Sequence, residues 1–169
     1  RMDFIIPARG LIGFRNQFLT DTKGNGIMNH VFAGWGAYKG DIPGRTRGSL
    51  VAFEAGTTTA YGIDKCQARG TMYVNPGEEV YEGEIVGENS REDDMDVNPC
   101  KKKHVSNMRA AGSDDAVRLV PPQTFSLEGA LEHINDDETV EVTPKSIRMR
   151  KKILSRQERS RQRARNARA

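Results

Sequence analysis

The sequence predicts a fold of the α+β class, and three features of the chain support it. The first third places an apolar helical stripe, residues 11–19, between two extended apolar segments. Residues 50–86 hold short runs of β-branched and aromatic side chains separated by turn residues. A second helical stripe at 127–134 is followed by two more alternating runs. Helices and strands are therefore both expected.

The first third predicts the order β-α-β. Residues 2–7 alternate weakly between apolar and polar side chains, which indicates a strand, and residues 27–35 predict a second strand. Between them the apolar side chains recur at helical spacing, and Gly24 and Gly26 end the predicted helix. The side chains of this stripe are Leu11, Ile12, Phe14, Phe18 and Leu19.

The section after residue 48 is predicted to be mostly β. Glycine-rich residues 36–48 predict a long loop or linker before it. The expected elements are a hairpin of 50–54 and 57–61, a helical turn at 64–68, and a strand pair of 71–74 and 79–86. The turn Asn75-Pro76-Gly77 joins the last two strands.

The last third predicts four elements before a polar tail. They are a short strand over 116–120, a helix over 127–134 that Ser126 caps, and strands over 139–143 and 146–150. After Ser155 no side chain is both bulky and apolar, so the tail cannot contribute to a core. We expect it to be a solvated helix, or disordered until RNA orders it.

The charges are distributed unevenly along the chain. Of 26 Lys and Arg residues, 11 lie from Lys145 onward, whereas only one of the 23 acidic residues, Glu158, does. The end of the chain therefore carries +10 and the rest −7, which gives the total of +3. A basic arm on an acidic body is typical of nucleic-acid binding, because each neutralised phosphate releases counterions. A solubilising disordered tail is the alternative.

Residues 98–112 form a basic segment that acidic residues flank at 92–96 and 114–115. Its cationic groups suit phosphates, and its His and Asn side chains can hydrogen-bond a base or ribose. Because the flanking acids repel a polyanion approaching from most directions, a finger entering a defined RNA pocket fits better than a broad surface. A solvated loop with balanced charges is the alternative. The predicted RNA-binding residues are Lys101, Lys102, Lys103, His104, Ser106, Asn107 and Arg109, joined towards the tail by Arg148, Arg150, Lys151 and Lys152.

Composition excludes several other classes. No apolar run approaches the roughly 20 residues that span a bilayer, and no signal peptide opens the sequence. Two cysteines give no disulfide framework, so we expect a cytoplasmic protein without a membrane partner. Cys100 and His104 have ligand-like spacing but lack a second pair for zinc, so we predict neither a metal nor another cofactor in this chain.

Catalytic motifs are absent from the sequence. It has neither a glycine-rich phosphate-binding loop of the G-x-x-x-x-G-K-[ST] type nor a G-x-S-x-G nucleophile elbow. The three histidines, His30, His104 and His133, are dispersed and do not indicate a triad. We therefore expect no enzyme activity from this chain.

Seven motifs are spread over the chain: PARGLIGFR at 7–15, TDTKG at 20–24, KGDIP at 39–43, VYEG at 80–83, CKKKH at 100–104, NMR at 107–109 and VTPKSIR at 142–148. Together they resemble the C-terminal end of the TypA/BipA family of bacterial translational GTPases, which are akin to elongation factor G. The resemblance runs from Arg1 to about Leu154. Only the Arg-rich tail lies outside it.

The resemblance implies three regions. Residues 1–38 would be the second half of a ferredoxin-like domain similar to domain V of elongation factor G. Residues 39–154 would be a β-rich module specific to the family, and 155–169 the Arg-rich tail. Because the ferredoxin-like topology places a strand of its first half between 2–7 and 27–35, we expect unpaired strands and an exposed apolar face on Leu11, Phe14 and Phe18.

The resemblance also implies a role on the ribosome. Its partners would be large-subunit rRNA, the A-site tRNA and ribosomal proteins, with the basic segment directed at the tRNA acceptor end and nearby rRNA. GTP and Mg²⁺ would bind an N-terminal domain outside this sequence, so we expect a monomeric end of a longer chain that acts in translation or large-subunit assembly. The alternative is a protein-interaction module whose acidic body binds a basic ribosomal protein.

Overall fold

The structure is a computed structural model that describes residues 1–40, 45–103 and 118–166. Within these ranges lie eight strands and four α-helices, which confirms the predicted α+β class. The strands are β1 (Ser49–Ala52), β2 (Gly56–Thr57), β3 (Gly70–Met72), β4 (Glu79–Val80), β5 (Ile85–Asn89), β6 (Met95–Val97), β7 (Glu138–Val142) and β8 (Ile147–Lys151). The helices are α1 (Phe14–Asp21), α2 (Ala60–Gln67), α3 (Leu127–His133) and α4 (Arg156–Asn166). Among these helices, none combines the length and the apolar character that crossing a membrane requires.

A four-stranded sheet in the order β3-β5-β1-β6 lies at the centre of the part after residue 45. Strand β1 is antiparallel to β5 and parallel to β6. All four residues of β1 are buried, as expected for a strand covered on both faces. The predicted hairpin of 50–54 with 57–61 is therefore wrong, because β1 pairs with β5 and β6 instead.

Helix α2 begins inside the strand that the sequence predicted over 57–61. The Thr59 hydroxyl accepts a hydrogen bond from the Gly62 N–H at 2.9 Å and caps the helix. The strand shortens to β2, which pairs with β4. Helix α2 buries Ile63 and Cys66 in the main core.

The main core lies between α2 and the central sheet. Burial of a Leu, Ile or Val side chain contributes about 1.5–3 kcal/mol, so this cluster dominates the stabilisation of the module. Its buried members are Leu50, Ala52, Ile63, Cys66, Met72, Val74, Val80, Val86 and Val97. A second, smaller core of Ile85, Ala130 and Met149 lies beneath α3 and the β7–β8 pair.

Helix α3 and strands β7 and β8 confirm the predictions for 127–150. The Ser126 hydroxyl caps α3 by accepting from the Gly129 N–H at 3.2 Å. Strands β7 and β8 are antiparallel, with Val140 opposite Met149. Their shared apolar face covers the smaller core.

Residues 1–40 contain α1, which confirms a helix between the two extended segments. The strands predicted at 2–7 and 27–35 are wrong for the described chain. Both segments lack a neighbouring strand among the described residues, and extended backbone forms a sheet only with such a neighbour. Their apolar side chains are exposed, with 92% for Ile5 and 96% for Trp35, whereas on the expected apolar face of α1 Phe14 is exposed and Leu11 and Phe18 are half-buried.

The buried side chain of Lys151 on β8 joins three parts of the fold. It is 1% exposed, and its Nζ lies 2.6 Å from Asp94 Oδ2, 2.8 Å from Asp137 Oδ2 and 2.9 Å from Glu138 Oε1. Burial alone would lower the pKa of Lys151, but the three carboxylates hold it above the usual lysine value. The ammonium group thereby links β8 to β7 and to the residue before β6.

Glu138 also receives a second cation. Arg45 Nη2 lies 2.8 Å from Glu138 Oε1, and the Ser49 hydroxyl donates to the same oxygen at 2.6 Å. Burial tends to raise the pKa of Glu138, but hydrogen bonds from Ser49 and Lys151 hold it below the usual value. The carboxylate is therefore ionised in the interior.

His133 completes this polar cluster as a neutral ring. Arg45 Nη1 donates to His133 Nε2 at 2.9 Å, and because an arginine can only donate, this ring nitrogen carries no proton. It therefore also accepts from the Tyr73 hydroxyl at 2.7 Å. Burial and the nearby Arg45 lower the pKa of His133 to about 4. The neutral His133 ring thus connects α3 to the central sheet without adding a charge.

We expect Lys151→Met to lower the free energy of unfolding by about 3–5 kcal/mol, because it leaves buried carboxylates without their cation. The neighbouring Lys152 is exposed, so Lys152→Met is a matched control that should change stability by less than about 0.5 kcal/mol. Urea unfolding followed by circular dichroism measures both values. Equal effects of the two substitutions would contradict the role assigned to Lys151.

Candidate nucleic-acid interface

The basic segment begins just after β6, and α2 holds its first residues. The Thr59 N–H donates to the Pro99 carbonyl at 3.0 Å, and the Thr59 hydroxyl donates to the Lys101 carbonyl at 2.5 Å. Pro99 is fully buried, whereas Lys101, Lys102 and Lys103 are all exposed. Three consecutive lysines therefore face solvent from a backbone that is fixed at its start.

Close contact between α2 and this backbone depends on Gly62. A Cβ placed on Gly62 would lie 2.1 Å from the Pro99 carbonyl oxygen and 3.1 Å from the Lys101 nitrogen. Glycine within a helix usually costs about 1 kcal/mol relative to alanine. The lack of space for a side chain explains why glycine occupies this position.

The opposite end of α2 holds the chain where it returns. Gln67 donates from Nε2 to the Arg118 carbonyl at 2.9 Å, and its Oε1 accepts from the Val120 N–H at 3.2 Å. Leu119 packs against the main core. Thr59 and Gln67 are eight residues apart, which corresponds to about 12 Å along a helix. The described chain on either side of residues 104–117 is therefore held at the two ends of one short helix.

Four predicted RNA-binding residues, His104, Ser106, Asn107 and Arg109, lie outside the described residues. The strand predicted over 116–120 is wrong for 118–120, which do not form a strand. The side-chain amide of Gln67 pairs with the backbone there in place of a neighbouring strand.

Strand β8 divides the other predicted cations between two faces. Arg148 and Arg150 alternate with the buried Met149 and are half-buried on the opposite face, and Lys152 beyond the strand is exposed. Lys151 is a correction: its ammonium group is inside the fold and paired with three carboxylates, so it cannot contact RNA in this structure. The alternation of a strand explains the error, because Lys151 shares the inward face of Met149.

Arg148 is also engaged with a buried carboxyl. Its Nη1 lies 3.5 Å from Glu84 Oε2, and the Glu84 side chain is only 4% exposed. Burial raises the pKa of Glu84 to about 7, although Arg148 and the Tyr81 N–H act to lower it. Near neutral pH, Glu84 therefore neutralises Arg148 only in part.

Helix α4 carries arginines that the sequence reasoning assigned to a solvated tail. Arg159 is 7% exposed and donates to Asp96 and to the carbonyls of Ile153 and Leu154. Arg163 Nη2 lies 2.9 Å from Asp94 Oδ2. The signal was present in the sequence, because Arg156, Arg159 and Arg163 fall on one helix face and the acidic run at 92–96 provides their partners.

The thiols and metal-binding side chains give no further site within the described ranges. Cys66 and Cys100 are free, and burial raises the pKa of the Cys66 thiol to about 11. Among the described residues, no group of His, Cys, Asp and Glu is arranged to hold a metal ion. The candidate interface therefore rests on exposed cationic side chains, above all Lys101, Lys102 and Lys103.

Two known domain families match the chain. The TypA/BipA C-terminal domain matches residues 47–156, and the elongation factor G C-terminus matches residues 1–46. The chain belongs to the TypA/BipA family. The resemblance stated from the seven motifs is confirmed.

Several relatives carry the name large ribosomal subunit assembly factor BipA. The chain is 47% identical to the Bacillus subtilis protein over 160 residues, which cover 94% of this chain and 26% of that relative. It is 46% identical to the Synechocystis protein over 151 residues, covering 89% and 25%, and 46% identical to the Salmonella typhimurium protein over 162 residues, covering 95% and 27%. The chain thus spans about a quarter of the length of the curated relatives it matches.

We expect Gly62→Ala to destabilise the protein by about 1–3 kcal/mol, because its Cβ would overlap the Pro99 carbonyl and force backbone shifts. Gly129→Ala in α3 is the matched control. A Cβ there would meet its nearest atom at 3.5 Å, an ordinary contact, so alanine should be neutral or stabilising. Thermal unfolding of both variants tests the contrast. A stabilising Gly62→Ala would refute the close approach.

The buried carboxyl of Glu84 makes the stability of the fold depend on pH. Its pKa is higher in the folded chain than in the unfolded chain, so it contributes stability that is present below its unfolded pKa and is lost as the pH rises through about 7. We expect the free energy of unfolding of Glu84→Gln minus that of the natural chain to rise by about 1–3 kcal/mol between pH 5 and pH 8, because only the natural chain loses this stability. Urea unfolding over this pH range measures the difference. A constant difference would mean that Glu84 titrates normally.

Proposed function

We propose that this chain is the ribosome- and RNA-docking C-terminal region of a translational GTPase that acts in translation or large-subunit assembly. It works by positioning and not by covalent chemistry. The observation that carries the proposal is the set of three exposed lysines, Lys101 to Lys103, near the start of the basic segment, where the helix cap Thr59 holds the backbone.

Lysines on an ordered backbone are well suited to bind the phosphates of RNA. Lysines on a fixed backbone reach phosphates at a lower entropic cost than lysines on a free chain. The segment that follows contains His104, Asn107 and Arg109, whose side chains suit bases, ribose and phosphates. Arg148, Arg150 and Lys152 supply additional cationic groups outside this segment.

We also propose which partners and cofactors the longer protein uses. The relatives named as large ribosomal subunit assembly factors support ribosomal RNA as the partner, and the finer placement of the basic segment at the A-site tRNA acceptor end follows from the family resemblance. GTP and Mg²⁺ would bind a domain outside this chain, because the sequence has no glycine-rich phosphate-binding loop. The same resemblance favours a cytoplasmic protein.

The alternative, an acidic body that binds a basic ribosomal protein, receives less support from the structure. Asp94 and Asp96 pair with Arg163 and Arg159, and Glu138 pairs with Lys151. Carboxylates that are already neutralised inside the chain offer little charge to a basic partner. The rival function would therefore need other acidic residues.

We expect the triple substitution of Lys101, Lys102 and Lys103 by Ala to weaken binding to ribosomes or large-subunit RNA about tenfold or more at low salt, because up to three phosphate contacts are lost. Co-sedimentation with ribosomes measures binding, and thermal unfolding should remain within about 0.5 kcal/mol of the natural chain, since the lysines are exposed.

A control with the same loss of charge separates position from net charge. Lys65, Arg69 and Arg91 are exposed elsewhere on the module, so replacing these three by Ala should leave most of the binding intact. Unchanged sedimentation of the Lys101 to Lys103 variant would refute the proposed role. Equal losses of ribosome binding in both triple variants would mean that Lys101 to Lys103 act only through nonspecific charge attraction.

A further inference from the structure

A cleft of about 520 Å³ lies between α4 and the residue that follows β1. Phe53 forms one wall and is half-buried, and the Arg156 guanidinium lies over its ring at 5.3 Å from the ring centre. Gln157, Ser160 and Arg161 of α4 line the other side. The cleft thus combines an aromatic ring, hydrogen-bonding groups and cations.

Docking of α4 separates its arginines into two sets. Arg156, Arg159 and Arg163 face the body and pair with Asp94 or Asp96. The second set is Arg161 and Arg165, which are four residues apart, lie on one helix face and are exposed. Neither makes a hydrogen bond or ion pair with another part of the described chain.

We propose that this cleft binds one unpaired RNA nucleotide, with the base against Phe53 and the adjoining phosphates on Arg161 and Arg165. This site is separate from Lys101 to Lys103, and it rests on the RNA-docking function proposed above. Its role is to add contact with single-stranded RNA, since a base within a duplex cannot enter a cleft and stack on a side chain.

The chemistry of the walls favours a nucleotide over an acidic peptide. A carboxylate chain would use only the arginines, whereas a base also uses the aromatic face of Phe53 and the polar groups of Gln157 and Ser160. The one carboxylate in the cleft, Glu82, accepts the Arg156 N–H at 2.8 Å where α4 begins. Its charge is therefore directed at the helix N-terminus rather than at a bound phosphate.

The test uses the full 169-residue chain and two probes, a fluorescein-labelled hexauridylate and an RNA duplex of similar length. Fluorescence anisotropy is measured at several salt concentrations. We expect Arg161→Gln combined with Arg165→Gln to weaken hexauridylate binding about tenfold at low salt. The slope of log K against log salt should become shallower by about 1.4, since each lost single-strand phosphate contact contributes about 0.7.

Phe53→Leu tests the stacking contact. It should weaken hexauridylate binding by about fivefold or more, leave duplex binding unchanged and leave the salt slope unchanged, because stacking does not release counterions. The matched control is Arg69→Gln combined with Arg91→Gln, which removes two exposed arginines away from the cleft and should have little effect on binding. If circular dichroism shows that Phe53→Leu unfolds, the exposed arginine pair decides the question.

Different results would overturn the cleft assignment and the proposed RNA-docking function. If the natural chain binds large-subunit RNA through Lys101 to Lys103 but both cleft variants bind hexauridylate normally, only the cleft assignment is overturned. If the natural chain binds no RNA, both are overturned. A third outcome is that hexaglutamate displaces hexauridylate equally well from the natural chain and from Phe53→Leu. That result would identify an acidic protein segment as the occupant of the cleft and would also overturn the assignment.

Discussion

The burial of one ammonium group, that of Lys151, constrains the arrangement of most of the module. Removing a charge from water costs several kcal/mol, and the cost is offset only when oppositely charged groups converge with good geometry. Asp94 and the adjacent pair Asp137 and Glu138 come from two separate places in the chain and meet at this group. Because Asp94 also binds Arg163, the position of the tail helix depends on the same cluster. The β7–β8 pair, the central sheet and α4 are therefore fixed together by charge as well as by apolar packing.

The same pairing changes the meaning of the charge asymmetry. In the folded chain, the acidic body and the basic tail neutralise one another in part. Asp96 forms an ion pair with Arg159, and Asp94 forms one with Arg163. A polyanion meets only the cations left over, so the net charge of a segment overstates its capacity for RNA. The useful distinction is between the inward arginines of α4 and the outward pair Arg161 and Arg165. A solvated tail would have offered all of them equally.

Sequence reasoning succeeded where a local signal decides the structure and failed where long-range pairing does. Ser126 and the apolar spacing after it predicted α3 almost to the residue, because a cap and a helical stripe are local. The strand β6, Met95–Val97, lies in an acidic stretch without β-branched alternation and is formed by its parallel pairing with β1. Thr59 shows the same limit, since its β-branched side chain predicted a strand but acts as a helix cap. In the site, exposure of Lys101 to Lys103 followed from composition, whereas burial of Lys151 required knowledge of its three distant partners.

The placement of the basic segment suits a positioning function better than a free tail would. Thr59 holds the backbone at residues 99–101 and Gln67 holds it at 118–120, at opposite ends of α2, and α2 itself is buried against the main core through Ile63. A displacement of the core would therefore move both attachments together and would not separate them. Because the backbone at 99–101 is already held before a partner binds, presenting the lysines costs less conformational entropy than it would on a free chain. Gly62 makes this possible by letting the segment approach α2 at backbone distance, so the position that presents the lysines is determined by a residue that carries no charge.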